Sequence, residues 1–385
     1  MLEDAGARTG LDVSRRIAIF LVGGIGRGIA LQGVPAITAL TEALGREFDV
    51  SVYSLHAPDP AFRPSGYTIH SPPSRLSGPL KKLRWLYLAS RFIAEHRRQP
   101  YRVLFSFWGY PMGSFVVALA AVVRRPSVIA VLGAEAASVP SIAFGFLRHP
   151  TTRRLVLETC ARASTVVVLS SDQRDTLRRH GLRRDMEVIP FGVDREMFTP
   201  KAKPLLPPLK ILNVANLTAV KDQATLLRAF ALLRRDIHAR LRIVGPDHLN
   251  GALQRLAGEL GLQEEVEFVG PVPYPEMPSH YDWADVFVLT SLSEGQCVGL
   301  AEAAMSGVLL VSTSVGCIPD VGDDGAVVVR MGDPADIAEK IRAIVSDREQ
   351  WTKKVASARA WAENHDFLWT VARLSTVIET ACSWR

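Results

Sequence analysis

Twice along this chain, short runs of branched apolar residues alternate with segments of helix length, and that rhythm limits the fold more than any other feature. Residues 16–22 (RIAIFLV) form the first run and stop at Gly23-Gly24, the pattern of a strand buried on both faces that ends in a tight loop. Further strands are expected over 49–55, 102–107, 127–132 and 165–169, and helices over 33–48, 80–98, 111–124, 151–162 and 171–180. A Pro- and Ser-rich loop is expected over 57–79. Residues 191–209 carry Pro200, Pro204, Pro207 and Pro208 without a clear period and read as a linker. The rhythm then restarts, with strands over 210–215, 240–244, 266–269, 285–290, 308–312 and 326–329. Helices are expected over 222–235, 249–260 and 298–306, and three more close the chain over 333–345, 348–363 and 367–382. Such alternation predicts an α/β fold of parallel sheets with right-handed crossovers. Two runs mean two doubly wound, Rossmann-like domains facing a central cleft, with ligands beyond the carboxyl ends of the strands.

Composition narrows the class. The 385 residues are 48 % hydrophobic and 22 % charged, which excludes a disordered, collagen-like or coiled-coil chain. No apolar run reaches the ~18 residues that cross a bilayer. Residues 1–14 hold Glu3, Asp4 and Asp12 and no apolar core, so residues 1–15 are expected to be a disordered tail and not a secretory signal. Cys160, Cys297, Cys317 and Cys382 are widely spaced, as in a reduced, cytoplasmic chain without metal-binding spacing. Charge is uneven: residues 1–200 carry 26 Lys and Arg against 16 Asp and Glu, a net of +10, whereas 201–385 carry 19 against 23, a net of −4. A basic half suits an anionic partner or is simply a solvated face. No zinc-finger or RNA-recognition pattern is present, so no nucleic-acid partner is expected.

Two segments carry candidate chemistry. Gly23-Gly24-Ile25-Gly26-Arg27-Gly28 follows the first strand, but Ile29 stands where a dinucleotide fingerprint needs glycine, and no Gly-Lys-Ser/Thr follows. Residues 291–307 (SLSEGQCVGLAEAAMSG) follow a buried strand and lead into a helix of small residues. If that helix starts near Cys297, Glu294 lies in the loop before it and Glu302 about one and a half turns in. The helix N-terminus favours an anion, while two carboxylates suit hydroxyl groups. The segment therefore reads as a diphosphate on amides and sugars on carboxylates, or else as one Glu capping a helix and the other exposed.

The segment SEGQCVGLAEAAMSG resembles the E-x7-E motif of the retaining GT-B glycosyltransferases of family GT4, the group 1 glycosyltransferases. The flanking pieces fall in the family's order: VIPFGVD at 188–194 with Phe198 beyond, Asn213-Val214-Ala215-Asn216-Leu217 with Lys221 downstream, LRIVG at 241–245, and Phe268-Val269-Gly270. TVVVLS at 165–170 and Gly23-Gly24 match as well, so the resemblance spans about residues 16–380. It implies a GT-B fold with an acceptor domain over 16–195, a linker over 196–209, a donor domain over 210–365, and a helix over 366–385 that crosses back to the first domain.

The resemblance also implies roles. Glu302 would bind the ribose hydroxyls of a nucleotide-sugar donor, and Glu294 would contact the donor sugar. Gly295, Gln296, Cys297 and Val298 would hold the diphosphate or sugar through their backbone, with Asn216, Gly245 and Gly270 also on the donor side. Lys221 would neutralise the leaving diphosphate. Gly23 and Gly24, with Glu135, would belong to the acceptor and closure loops. No metal and no cofactor beyond the nucleotide-sugar are implied, and the chain contains no Asp-x-Asp. The acceptor would be a glycan or a lipid-linked sugar in surface polysaccharide or glycolipid assembly, and the protein a monomer or homodimer. Three positions depart from the family: Asn216 replaces an Arg, Leu132 a His and Phe191 an Asn. A nucleotide-sugar epimerase or hydrolase on the same architecture, or a catalytically degenerate nucleotide-binding partner protein, are the rival readings. The segment 80–98 spaces Leu83, Leu86, Tyr87, Ser90 and Ile93 or Ala94 on one face among Lys and Arg. It reads either as a core-packed surface helix or as a peripheral contact with the inner membrane surface.

Overall fold

The computed structural model describes residues 15–76, 78–201 and 204–383; the expected N-terminal tail, apart from Arg15, lies outside them. The apolar runs fold into two parallel sheets. The first holds β1 (Arg16–Leu21), β2 (Asp49–Ser54), β3 (Tyr67–His70), β4 (Val103–Phe107), β5 (Ser127–Val131), β6 (Thr165–Val168) and β7 (Glu187–Val188) in the order β3-β2-β1-β4-β5-β6-β7. The second holds β8 (Leu209–Val214), β9 (Ala239–Val244), β10 (Val266–Gly270), β11 (Val286–Leu289), β12 (Leu309–Thr313) and β13 (Ala326–Val329) in the order β10-β9-β8-β11-β12-β13. All six residues of β1 are buried, which is why its sequence shows no polar alternation.

In the first half the helices are α1 (Pro35–Glu47), α2 (Leu83–Arg98), α3 (Met112–Val123), α4 (Pro150–Arg162) and α5 (Ser171–Arg179). The second half supplies α6 (Gln223–Leu233), α7 (Ala252–Glu259), α8 (Met277–Trp283), α9 (Val298–Met305), α10 (Ile318–Val321), α11 (Pro334–Ser346), α12 (Arg348–Asn364) and α13 (Phe367–Ser383). Short β7 and α10 fall outside the expected ranges, and two further elements depart from the sequence expectation more tellingly. Strand β3 lies inside the stretch read as loop, where it pairs in parallel with β2 and buries Tyr67. Helix α8 begins among prolines, with one in its first turn, a place where the missing N–H costs no hydrogen bond.

The last helix belongs to the first domain's core. Val371, Leu374, Val377, Ile378 and Ala381 of α13 join the apolar cluster of β1, β2 and α1. The crossing is tight: a Cβ on Gly192 would sit 2.1 Å from the carbonyl carbon of Asp366. Thr370 fixes it by donating its hydroxyl to the Pro190 carbonyl at 2.7 Å and accepting the Gly192 N–H at 2.9 Å.

On α2 the core-facing residues are Leu88 and Phe92, not the face spaced by Leu83 and Leu86. Those two side chains are 42 % and 66 % exposed, and Leu80 just before the helix is 48 % exposed. The start of the apolar stripe legible in the sequence thus faces solvent, while Tyr87 and Ile93 of the same stripe pack partly buried against the core.

Thr370→Val removes both hydrogen bonds at the crossing without changing its volume much. It is expected to lower stability by about 1–2 kcal/mol, read as a lower thermal midpoint in calorimetry.

Candidate active site

Parallel strands place all their following loops at one end of a sheet, and here the two loop ends face each other. Between them lies a cleft of about 670 Å³. The first domain contributes Gly28, Gln32 and the start of α1 at Pro35, and the second contributes Asn216, Tyr274 and Glu302. Gly245 lines the same cleft at the end of β9. Its φ of +143° and a Cβ position only 2.1 Å from the Ala215 carbonyl oxygen admit no side chain, so two loop backbones touch there. Gly270 ends β10, with its carbonyl accepting the Gly245 N–H at 2.9 Å.

Helix α9 starts at Val298, directly after Cys297, whose φ of +69° turns the chain into the helix. Val298, Gly299 and Glu302 line the cleft. Glu302 is only 5 % exposed, and its Oε2 accepts the Tyr281 hydroxyl at 2.5 Å. Burial pushes its carboxyl up to about 7, against the pull of hydrogen bonds from Tyr281 and Tyr274. The structure thus places this residue inside the first turns of the helix. It does not cap the helix, because its carboxylate is turned to two tyrosines and away from the helix start.

Glu294 lies in the loop before α9 and is paired. Lys221, which ends a short 3₁₀ turn before α6, reaches both its oxygens at 2.6 and 2.7 Å. The Ser291 hydroxyl adds a third bond to Oε1 at 2.6 Å. Burial works against the Lys221 charge, but Glu294 outweighs it and leaves the ammonium above its ordinary value. The pair is thus a charge-assisted, nearly dry contact. Cys297 beside it is no nucleophile, since burial and then Glu294 push its thiol up to about 12.

The residues between these carboxylates are occupied in joining the domains. Gly295 accepts the Ser170 hydroxyl on its carbonyl at 2.7 Å, and a Cβ there would lie 2.0 Å from the Leu132 oxygen. The Gln296 amide brackets the Phe191 backbone, accepting its N–H at 2.7 Å and donating to its carbonyl at 2.8 Å. Neither residue lines the cleft; both were expected to hold a donor through their backbone, and the Gly295 carbonyl is already used. Phe191 and Leu132, which stand where the family has polar side chains, thus serve this interface through their main chains. Glu135 is also turned inward. It is 1 % exposed and accepts N–H bonds from Gly109 and Leu132 at 2.9 Å and from Gly133 at 3.2 Å. Its carboxylate therefore ties two loops together instead of facing an acceptor, the role that the resemblance implied. Gly23 and Gly24 sit at the turn after β1, against His56 and beneath Val34 respectively, behind the part of the loop that lines the cleft.

Nothing in the sequence pattern pointed to Tyr274 and Tyr281. Both lie in or just after the proline-rich stretch 271–278, whose pattern hides a helix. Among the described residues, no group of three His, Cys, Asp or Glu is placed to hold a metal ion, and no helix is long and apolar enough to cross a membrane.

Comparison with known proteins agrees with this geometry. The family model described as glycosyl transferases group 1 matches residues 208–347, and that of glycosyltransferase family 4 matches residues 36–197. The chain is 30 % identical over 250 residues to a D-inositol 3-phosphate glycosyltransferase of Nocardia farcinica, covering 60 % of this chain and 55 % of that one. It is 27 % identical over 325 residues to a GDP-mannose-dependent alpha-(1-6)-phosphatidylinositol monomannoside mannosyltransferase of Mycobacterium tuberculosis, covering 79 % and 80 %. The chain spans about half the length of several of the curated relatives it matches. Anabaena HepE, solved in complex with UDP, shares the fold at a TM-score of 0.75 and 16 % identity, over 95 % of this chain and 100 % of that one.

The Glu302 carboxyl holds its proton more tightly in the fold than its ordinary value of 4.5 allows in the unfolded chain. Its contribution to stability is therefore full below about 4.5 and is lost as pH rises through about 7. Glu302→Gln abolishes that contribution. Denaturant unfolding of both proteins across this window is expected to show wild type losing stability relative to the variant as pH rises.

Proposed function

Given that the chain belongs to the GT4-like group 1 glycosyltransferases, we propose that it transfers a sugar from a nucleotide-diphosphate-sugar to a hydroxyl acceptor with retention of configuration. The observation that carries this reading is the placing of Glu302 in the wall of the cleft, on the helix that the Lys221–Glu294 pair precedes. A ribose diol donates to the Glu302 carboxylate. The sugar then lies towards Glu294, and the diphosphate between them lies within reach of Lys221. As the glycosidic bond breaks, charge builds on the diphosphate, and a fixed ammonium in a dry site stabilises it. Glu294 is engaged by Lys221 and Ser291, so it suits orientation of sugar hydroxyls better than attack on carbon. Departure of the diphosphate and attack by the acceptor on one face, through an oxocarbenium-like state, fits a cleft whose lining among the described residues holds Glu302 as its carboxylate. Nucleotide-sugar is the co-substrate invoked and no metal is assigned.

The acceptor side is the basic first domain, and the acceptor class is a glycan or lipid-linked sugar of surface polysaccharide or glycolipid assembly. Support for a lipid-linked acceptor comes from α2 and the turn before it. Leu80, Leu83 and Leu86 are exposed beside exposed Lys81 and Lys82, a combination suited to an anionic bilayer surface. A cytoplasmic protein resting on the inner membrane face follows from this reading.

Calorimetry against a panel of UDP- and GDP-sugars is expected to find a donor that binds wild type, with binding lost in Glu302→Ala. Turnover with acceptor is expected to fall about 10²–10³-fold in Lys221→Ala with smaller loss of binding. Binding without turnover, whatever the acceptor, would instead identify a degenerate partner protein, in keeping with the charge missing at Asn216. In flotation with anionic vesicles, wild type is expected to co-float and the Leu83→Glu, Leu86→Glu double variant to stay behind, while neutral vesicles bind neither.

A further inference from the structure

Glu302 is held from beneath by a side chain that reaches it through a gap. Tyr281 is fully buried on α8, between Phe287 at 6.2 Å and Phe198 at 5.6 Å, measured between ring centroids. Its hydroxyl passes under Gly299, where a Cβ would stand 3.3 Å from Oη and 3.4 Å from the Val214 carbonyl oxygen. It then donates to Glu302 Oε2 at 2.5 Å. Tyr274, from the turn before α8, lines the cleft with Glu302. Phe198 also packs on Tyr274, with centroids 6.0 Å apart.

We propose that Tyr281 is a positioning residue: by occupying Oε2 it pins the Glu302 rotamer and leaves Oε1 as the oxygen offered to the 2′,3′-diol of a ribonucleoside diphosphate. This rests on the donor-site reading above and adds to it how the ribose is selected. A glutamate has three rotatable bonds, and fixing them before binding lowers the cost of ordering on binding. A hydrogen bond to a carboxylate is also stronger than one between neutral groups. The titratable groups around Glu302 are Tyr281 on α8, Tyr274 on the preceding turn, and Cys297 at the start of its own helix, with Asp194 acting on Tyr274. None is a cation, so the two phenols are what favours the ionised acceptor. Burial, and then Glu302 itself, keeps the Tyr281 phenol neutral and therefore a donor. Gly299 has its own part in this arrangement, since a side chain there would press the phenol away from Oε2.

The test is calorimetric binding of GDP and UDP and of their 2′-deoxy counterparts, from about pH 6 to about pH 9, to wild type, Tyr281→Phe, Glu302→Gln and Phe198→Leu. Wild type is expected to prefer the ribo form. Tyr281→Phe is expected to lose about tenfold in that preference and to shift the acid limb of binding to higher pH, because the carboxylate has lost a donor. In turnover its KM for the donor rises while kcat changes little. Phe198→Leu loosens the packing around the phenol but keeps its hydroxyl, and is expected to lose thermal stability with preference and pH limb unchanged. Should Tyr281→Phe fail to fold, Gly299→Ala, which displaces the phenol while leaving it intact, is expected to show the same loss. A wild-type preference and pH limb in Tyr281→Phe, with Glu302→Gln impaired, would overturn the proposal and leave the donor site standing. Equal changes in Phe198→Leu would overturn it too, by showing that packing and not the hydroxyl is responsible. Failure of wild type to bind either nucleoside diphosphate, or an unaffected Glu302→Gln, would overturn the donor-site reading with it.

Discussion

Gly295 touches the Leu132 carbonyl so closely that no other residue fits, and around that contact the loop before α9 is bolted to the opposite domain. Ser170 holds the Gly295 carbonyl, Gln296 brackets the Phe191 backbone, and the Ser171 N–H donates to Asp320 at 3.0 Å. These bonds fix the distance between the two sets of strand ends. The cleft lies between the loop ends that they join, while Glu302 is buried against Tyr281 of its own domain. The α13 crossing reinforces the same geometry from the far side, since Thr370 clamps the chain just after β7, where Phe191 begins the passage between domains.

Charge beside the cleft is then arranged by burial. Lys221 and Glu294 are each surrounded by protein, and separating them would leave an uncompensated charge in a dry site. Asn216, on the same β8–α6 connection as Lys221, brings no positive charge where the resembled family has an Arg. Glu302 solves the same problem differently. It has no cation: burial pushes its carboxyl up to about 7, and the pull of the two phenols offsets that only in part.

Much of this was legible beforehand. The strand–helix rhythm, the glycine turns after β1 and β9, and the spacing of Glu294 and Glu302 about the start of α9 are all local, and local periodicity is what a sequence displays. What stayed hidden has a physical reason in each case. Helix α8 is masked by prolines that are harmless in a first turn but read as breaks. Strand β3 is four residues long and lies in a stretch otherwise rich in turn formers. The exposed face of α2 looks like a core stripe because its leucines obey helical spacing, and spacing does not say which side the sheet lies on. Glu135 carries an acidic side chain at a loop tip, a usual place for chemistry. Its engagement by three backbone N–H groups depends on how two loops meet.

The sequence by itself therefore determined the two parallel-sheet domains, the glycine-rich loops at the strand ends and the spacing of two glutamates about one helix start. Those follow from nearest-neighbour patterning and from the geometry of parallel strands. Only the tertiary structure decided what each carboxylate touches. Glu294 meets Lys221 across 73 positions, Glu302 meets Tyr281 across 21, and Gln296 meets Phe191 across 105. The strength of such contacts depends on how much water is excluded around them, and that is set by how distant segments pack together, which no local pattern records.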